Sequence, residues 1–284
     1  MATKAITTIL IGENYHALWN QTFRATWEAY ARKHGYDLLI IPDYLDQSPL
    51  ARQRTPHWQK CLILDHPQLR PYEDVVWIDA DILINPHTAP CIVAANAAIN
   101  NGEGVGVVTY CTEFLVPGRI DNRYHRRAYS ATGGRLSQSP RFSDWYQQAG
   151  LPGDVDDFIN TGVLVFKPRL HADFMRKIYL ECTENDSSHK ENGALSYWLL
   201  KEGLASKLDP RFNVSWNGDI IEFYPFLLEG RNFHNTKLIE VCVNTAWHNA
   251  FMLHFVESET RSHASLVNCQ HPLPPGLRLP DSAD

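Results

Sequence analysis

Two aspartates one residue apart, Asp79 and Asp81, follow the apolar run Val75-Val76-Trp77-Ile78 and precede a second one, Ile82-Leu83-Ile84. Two hard carboxylate donors at this spacing suit Mg²⁺ or Mn²⁺ carrying a diphosphate. Such ions take one or two protein carboxylates and complete their shell with the substrate's own oxygens. The first run is short, β-branched and aromatic, so it reads as a buried strand. The pair then falls at the strand's carboxyl end, and a spacing of two puts both side chains on one side of an extended backbone. Open α/β sheets hold their ligands at that end. An Asp-x-Asp in a bare surface turn would do no chemistry, so its surroundings decide its meaning.

The surroundings read as alternating strands and helices. Ala5 to Ile11 is a first strand, ending in the turn-prone group Gly12-Glu13-Asn14-Tyr15. Leu18 to Lys33 is an amphipathic helix carrying Trp19, Phe23, Trp27 and Tyr30 at helical spacing, and Asp37 to Pro42 is a second strand. Pro56 opens a helix that leads into the Asp-x-Asp strand. This succession predicts a mostly parallel central sheet flanked by helices, with right-handed crossovers. A helix over 89–100 and a strand over 105–110 continue it.

Periodicity fades between Cys111 and Asp157, where Gly118, Arg119, Arg123, Arg126, Arg127, Gly133, Gly134 and Arg135 form a long basic stretch. Loops of this length in a compact domain are usually binding loops or lids, or disordered. Its five arginines would attract a carboxylate or phosphate, whether on an anionic acceptor or on a donor diphosphate. Phe158 to Phe166 is a strand with Asn160, Thr161 and Gly162 inside it, and an internal glycine often marks close approach. Helices follow at about 170–183 and 191–202, then a less regular region including Phe212 to Asn217, then a short strand Met252 to Phe255. The reading is one α/β domain over 1–271, with an insertion or lid at 111–153 and a Pro-rich tail over 272–284.

Composition narrows the classes. A net charge of −6 argues against a general nucleic-acid binder, which would present a basic face. No apolar run reaches the roughly 18–20 residues of a membrane span. The six cysteines are scattered with no Cys-x-x-Cys pair, which suits reduced thiols in a cytoplasmic protein better than zinc. Nothing in the sequence separates monomer from homodimer.

With these pieces ordered, the chain resembles a GT-A (Rossmann-like) glycosyltransferase, nearest to the retaining families 8 and 34, over about residues 5–255. Trp58-Gln59-Lys60 resembles the Trp-x-Lys of family 34, and Asp79-Ala80-Asp81 the metal motif. Ile159-Asn160-Thr161-Gly162 is similar to the element bordering the donor sugar, and Glu191-Asn192-Gly193-Ala194-Leu195 stands where those families carry Asp-Gln-x-x-Leu. His254-Phe255 sits where a late histidine completes the metal site. Two departures are plain. Glu191-Asn192 keeps the chemical types of Asp-Gln but changes both lengths. The lysine that contacts the diphosphate is missing, with Arg261 as the available substitute.

The resemblance implies transfer of a hexose from a nucleotide-sugar, with UDP favoured, to an acceptor hydroxyl with retention. Asp79, Asp81 and His254 would hold the metal, and the histidine nitrogen tilts the choice to Mn²⁺ over Mg²⁺. Gly12, Glu13, Asn14 and Tyr15 would meet the nucleotide base, and Lys60 and Arg261 the phosphates. Ala80, Thr161 and Gly162 would border the donor. Asn160, Glu191 and Asn192 are the expected catalytic side chains at the sugar. Two other classes compete. A haloacid-dehalogenase-like phosphotransferase also ends a strand in Asp-x-Asp, but the first strand of its core, whereas two strands precede this one. A non-catalytic sugar-nucleotide or glycan binder on the same fold is the other.

Overall fold

The computed structural model describes residues 3–109, 142–184, 190–256 and 258–270. Its centre is a six-stranded sheet in the order β2-β1-β3-β6-β5-β7. These strands are β1 (Lys4–Ile9), β2 (Asp37–Ile41), β3 (Asp74–Ile78), β5 (Val105–Thr109), β6 (Ile159–Phe166) and β7 (Ala205–Lys207). Five run the same way; β6 alone is reversed, antiparallel to both β3 and β5. A smaller sheet, β4-β9-β8, joins β4 (Ile82–Ile84), β9 (Met252–His254) and β8 (Val214–Ser215).

Alternation along the strands builds two cores, one on each face of the main sheet. In β3, Val76 and Ile78 point into a core with Trp27, Trp216 and Trp247, while Val75 and Trp77 point into one with Met175, Leu195 and Leu199. β6 is buried at all eight positions, as a central strand covered on both faces must be.

Between β1 and β2 the chain forms α1 (Glu13–Leu18), a π-helical turn (Trp19–Phe23) and α2 (Arg24–His34), stopped by Gly35 at φ 70°. The helix begins at Glu13, so the group expected as a turn, Glu13-Asn14-Tyr15, is instead its first turn. Trp27 ties it to β4 through Nε1 donating to the Ile82 carbonyl at 2.7 Å. The segment after Pro56 is a 3₁₀ stretch (Pro56–Asp65), where an α-helix was expected. The remaining helices are α3 (Ile92–Ala97), α4 (Phe142–Gln148), α5 (Pro168–Glu181), α6 (Glu191–Lys201), α7 (Trp216–Glu222), α8 (Thr236–Asn249) and the single turn α9 (Ser258–Arg261).

The basic stretch from Arg119 to Arg135 and the tail over 272–284 lie outside the described residues. The last part of the expected insertion is not a loop. α4 packs through Tyr146, whose hydroxyl meets Ser196 Oγ at 2.6 Å. Among the described residues no helix is long and apolar enough to cross a membrane, and the five described cysteines form no disulfide.

Candidate active site

Reversal of β6 brings the site together. Because β6 runs against β3, its beginning lies beside the end of β3: Val163 pairs with Ile78, and Asp79 N–H donates to the Gly162 carbonyl at 2.8 Å. A parallel β6 would put Asn160-Thr161-Gly162 at the far edge of the sheet from the aspartates. The chain then turns through Asp79-Ala80-Asp81, with Ile82 N–H bonded to the Asp79 carbonyl at 3.2 Å, and enters β4. The turn, not an extended backbone, brings the two carboxylates together. β4 pairs Ile82 with His254 of β9, which sets the imidazole beside both.

Each aspartate has one oxygen anchored and one turned toward the histidine. Asp79 Oδ1 takes the Lys60 ammonium at 3.1 Å and Trp77 Nε1 at 2.7 Å, while its Oδ2 lies 3.8 Å from His254 Nε2. Asp81 Oδ2 takes Arg261 Nη2 at 3.0 Å, while its Oδ1 lies 3.2 Å from His254 Nε2. The three remaining ligand atoms lie within 4.8 Å of one another. Burial pushes Asp81 up, but His254 and Arg261 outweigh it and hold the carboxyl below its ordinary range. Two carboxylate oxygens and a ring nitrogen this close need a positive charge among them, a proton on Nε2 or a cation in its place. Hard oxygens with one imidazole nitrogen are a donor set that fits Mn²⁺ or Mg²⁺.

Lys60 is buried behind this cluster, with a side chain 4% exposed, and links it to Glu191 Oε1 at 2.8 Å. Its ammonium also donates to the Thr161 carbonyl at 3.3 Å. Burial pushes its pKa down, but Asp79 and Glu191 outweigh that and raise it. Glu191 opens α6 and is equally buried; burial pushes its carboxyl up, and the Lys60 charge prevails and lowers it. Glu191 Oε2 is shielded from solvent and has no hydrogen-bond partner. Lys60 therefore faces the two carboxylates, and any phosphate would meet its charge only through Asp79.

Asn192 uses its amide to bind α6 to β6. Its Oδ1 accepts from Thr161 N–H at 2.8 Å and Thr161 Oγ1 at 2.5 Å, and its Nδ2 donates to the Ile159 carbonyl at 3.0 Å. Asn160 Oδ1 accepts from Gly162 N–H at 3.0 Å. Gly162 faces the histidine ring: a Cβ there would stand 2.7 Å from His254 Nδ1 and nearer still to Cε1. On the other side of the cluster, Arg261 Nη1 donates to the Tyr15 hydroxyl at 3.3 Å, and its guanidinium lies 5.6 Å from the Tyr15 ring centroid. Arg261 Nε is buried and without a partner. Gly12, at φ 90°, delivers the chain from β1 into the helix bearing Glu13, Asn14 and Tyr15, none of which is buried.

Three contributors escaped sequence reasoning. Trp77 was read only as core, yet its indole N–H holds Asp79. Lys190, at φ 62°, sets its Nζ 3.1 Å from His57 Nε2 on the residue preceding Glu191. Asn213 lies in the stretch read as irregular; it is 5% exposed, and its Oδ1 is 2.9 Å from His254 Nδ1. A lone asparagine after an apolar aromatic was the only signal for it.

No protein-family model matches the sequence, and no curated protein matches it. Solved structures do. A glycosyltransferase involved in glycosylation of the major capsid of PBCV-1 superposes with a TM-score of 0.52 at 14% identity, over 93% of this chain and 100% of its own. The bifunctional glycosyltransferase WbbM does so with a TM-score of 0.51 at 14% identity, over 93% of this chain and 49% of its own. The galactosyltransferase LgtC, solved with donor and acceptor sugar analogues, fits more loosely, with a TM-score of 0.44 at 11% identity over 93% of this chain and 96% of its own. With its single reversed strand and flanking helices, the chain has the GT-A glycosyltransferase fold.

Proposed function

We propose that the chain is a divalent-metal-dependent glycosyltransferase that moves a hexose from a nucleotide-sugar, UDP-linked by preference, to an acceptor hydroxyl with retention. The observation carrying this reading is the convergence of Asp79, Asp81 and His254 where β3 ends, on a fold shared with glycosyltransferases. Those three residues would hold Mn²⁺ or Mg²⁺, which supplies Lewis-acid stabilisation of a leaving diphosphate.

The chain's own groups complete the arrangement. Arg261 has an Nε–H with no acceptor, and a phosphate oxygen is the acceptor that suits a guanidinium. Tyr15, 49% exposed under that guanidinium, offers a ring face to the base. Glu191 stays ionised beside Lys60, and its unpartnered Oε2 is an acceptor for a sugar hydroxyl and a negative charge for an oxocarbenium-like carbon. Asn160 and Asn192 hold the strand and helix that frame this pocket. The leaving phosphate would take the acceptor's proton on the same face, so no protein base is assigned. An anionic acceptor is suggested by the arginines over 119–135.

The haloacid-dehalogenase reading fares worse, since Asp79 follows the third strand and the fold is one shared with glycosyltransferases. Thermal-shift screening of nucleotide-sugars with and without Mn²⁺, followed by donor hydrolysis without acceptor, tests the proposal. A metal-dependent shift with slow hydrolysis is expected. A shift with no turnover under any acceptor would leave a binding protein, and no metal-dependent shift would overturn the metal assignment. Retention is tested by the anomeric proton coupling of fresh product; inversion would refute it.

A further inference from the structure

Neutral imidazole has two tautomers, and only one leaves Nε2 free to ligate. Asn213 favours that one, while Asp81 Oδ1, 3.2 Å from Nε2, would take a hydrogen from Nε2 when no cation is there. Asn213 Nδ2 donates to the Asn160 carbonyl at 3.1 Å, and that carbonyl can only accept. The amide is thereby oriented, and the atom it turns to His254 is Oδ1, at 2.9 Å from Nδ1. An oxygen there requires Nδ1 to carry the hydrogen. Nε2 is then the nitrogen turned to Asp81 Oδ1 and Asp79 Oδ2, and it would present its lone pair there once a cation, in place of a hydrogen, lies between them.

Asn213 reaches this place through backbone register. It ends the 3₁₀ turn Pro210–Asn213, whose Asp209 cap accepts from Arg211 N–H at 2.9 Å. The next two residues form β8, with Val214 opposite Leu253 and Ser215 opposite His254, and Phe251 N–H bonds the Arg211 carbonyl at 2.9 Å. Gly162 closes the ring's other side, leaving the imidazole no room to turn away. Partners that fix the second nitrogen of a ligating histidine raise its basicity and orient it, and losing one typically lowers metal affinity about 10–100-fold.

We propose that Asn213 is a positioning residue that locks His254 in the Nδ1–H tautomer, presenting Nε2 to the cation held by Asp79 and Asp81. The proposal rests on the metal-site reading above, but half of its test needs no metal. Nitrogen-15 imidazole spectra of the metal-free chain at about pH 9, above the ordinary histidine range, report directly whether Nδ1 carries a hydrogen. Mn²⁺ titration calorimetry reports affinity. In the wild type, His254 should show a hydrogen on Nδ1. Asn213→Ala should bring in the other tautomer and weaken Mn²⁺ binding about 10–100-fold. Asn213→Asp keeps an oxygen for Nδ1–H but sets a carboxylate against the Asn160 carbonyl. It should melt lower than wild type yet keep the tautomer and bind Mn²⁺ within a few-fold of wild type. A purely structural asparagine would lose affinity in both variants in step with stability. That outcome, or a wild-type Nδ1 without a hydrogen, overturns the proposal; should Asn213→Ala not fold, the wild-type spectrum and Asn213→Asp still decide it. If the tautomer is as stated but the wild type binds no Mn²⁺, the metal reading fails instead.

Discussion

Gly162→Ala distinguishes two explanations of one residue. Sequence reasoning expected this glycine to admit the donor sugar; the structure sets His254 against it. An added methyl would stand 2.7 Å from Nδ1, where ordinary contacts begin near about 3.5 Å, so one partner must yield by roughly 1 Å. β6 is held between β3 and β5 and has little freedom to move, so the imidazole gives way. Its bonds run from opposite ends of the ring, 2.9 Å to Asn213 and 3.2 Å to Asp81, and a displacement that size breaks at least one. Overpacking costs about 1–3 kcal/mol and the lost hydrogen bond about 1 more, together about 2–4 kcal/mol. For a chain of this size that lowers Tm by about 4–15 °C. Mn²⁺ affinity should fall at least about tenfold. Melting curves and Mn²⁺ calorimetry measure both. Gly203→Ala is the control: φ is 66° there and a Cβ meets nothing within 4 Å, so it should cost stability and leave the metal alone. Unchanged Mn²⁺ affinity in Gly162→Ala, with a raised donor KM, would refute the steric argument and restore the sugar-approach reading.

Lys60→Ala strands two carboxylates beside a buried void, and losing one partner of a buried ion pair costs about 3–5 kcal/mol; urea denaturation should show it, with Lys60→Met/Glu191→Gln recovering much of the loss. Asp81→Asn should fold, by circular dichroism, yet lose more Mn²⁺ affinity and turnover than the about 10–100-fold cost of an outer partner; near-normal turnover would sink the ligand assignment. Burial and the neighbouring Glu222 push the Asp219 carboxyl from 3.8 up to about 7. Between about pH 4 and 7 the folded chain therefore keeps a proton that the unfolded chain has released, and stability falls as pH rises through that window. Asp219→Asn should match wild type below about pH 4 and exceed it by about 2–4 kcal/mol above pH 7. Parallel stability–pH curves for the two would refute the shift.

The sequence made the site's corners legible because each stands at the edge of an element: Asp79 after Ile78, Glu191 at a helix start, His254 closing Met252-Leu253. It did not reveal how the corners meet. A continuous apolar strand such as Ile159–Phe166 carries no signal for direction, yet its reversal is what joins Gly162 to Asp79. Helix α8 went unread although Ile239, Cys242, Val243, Ala246 and Trp247 are buried at helical spacing. Its asparagines, threonines and valines favour helix weakly, and packing overrides them. The two-residue β8 exists only through its partner β9. Asn213 and Trp77 were hidden for the same reason: their roles lie in what their N–H and C=O groups face.

The pairing of Ile82 with His254 has a consequence for assembly. All six strands of the main sheet come from residues 4–207, so none of its strand pairings uses β9. A chain with β9 detached carries Asp79 and Asp81 as an incomplete chelate, and the third ligand arrives from about 170 residues downstream. Closure of the small sheet is therefore the event that creates the site, and any cation held there must pull β9 onto β4 by mass action. Amide exchange in β4, β8 and β9 should slow when Mn²⁺ is added while exchange in β1 and β3 stays as it was, which makes the last part of the chain a reporter of whether the protein is finished.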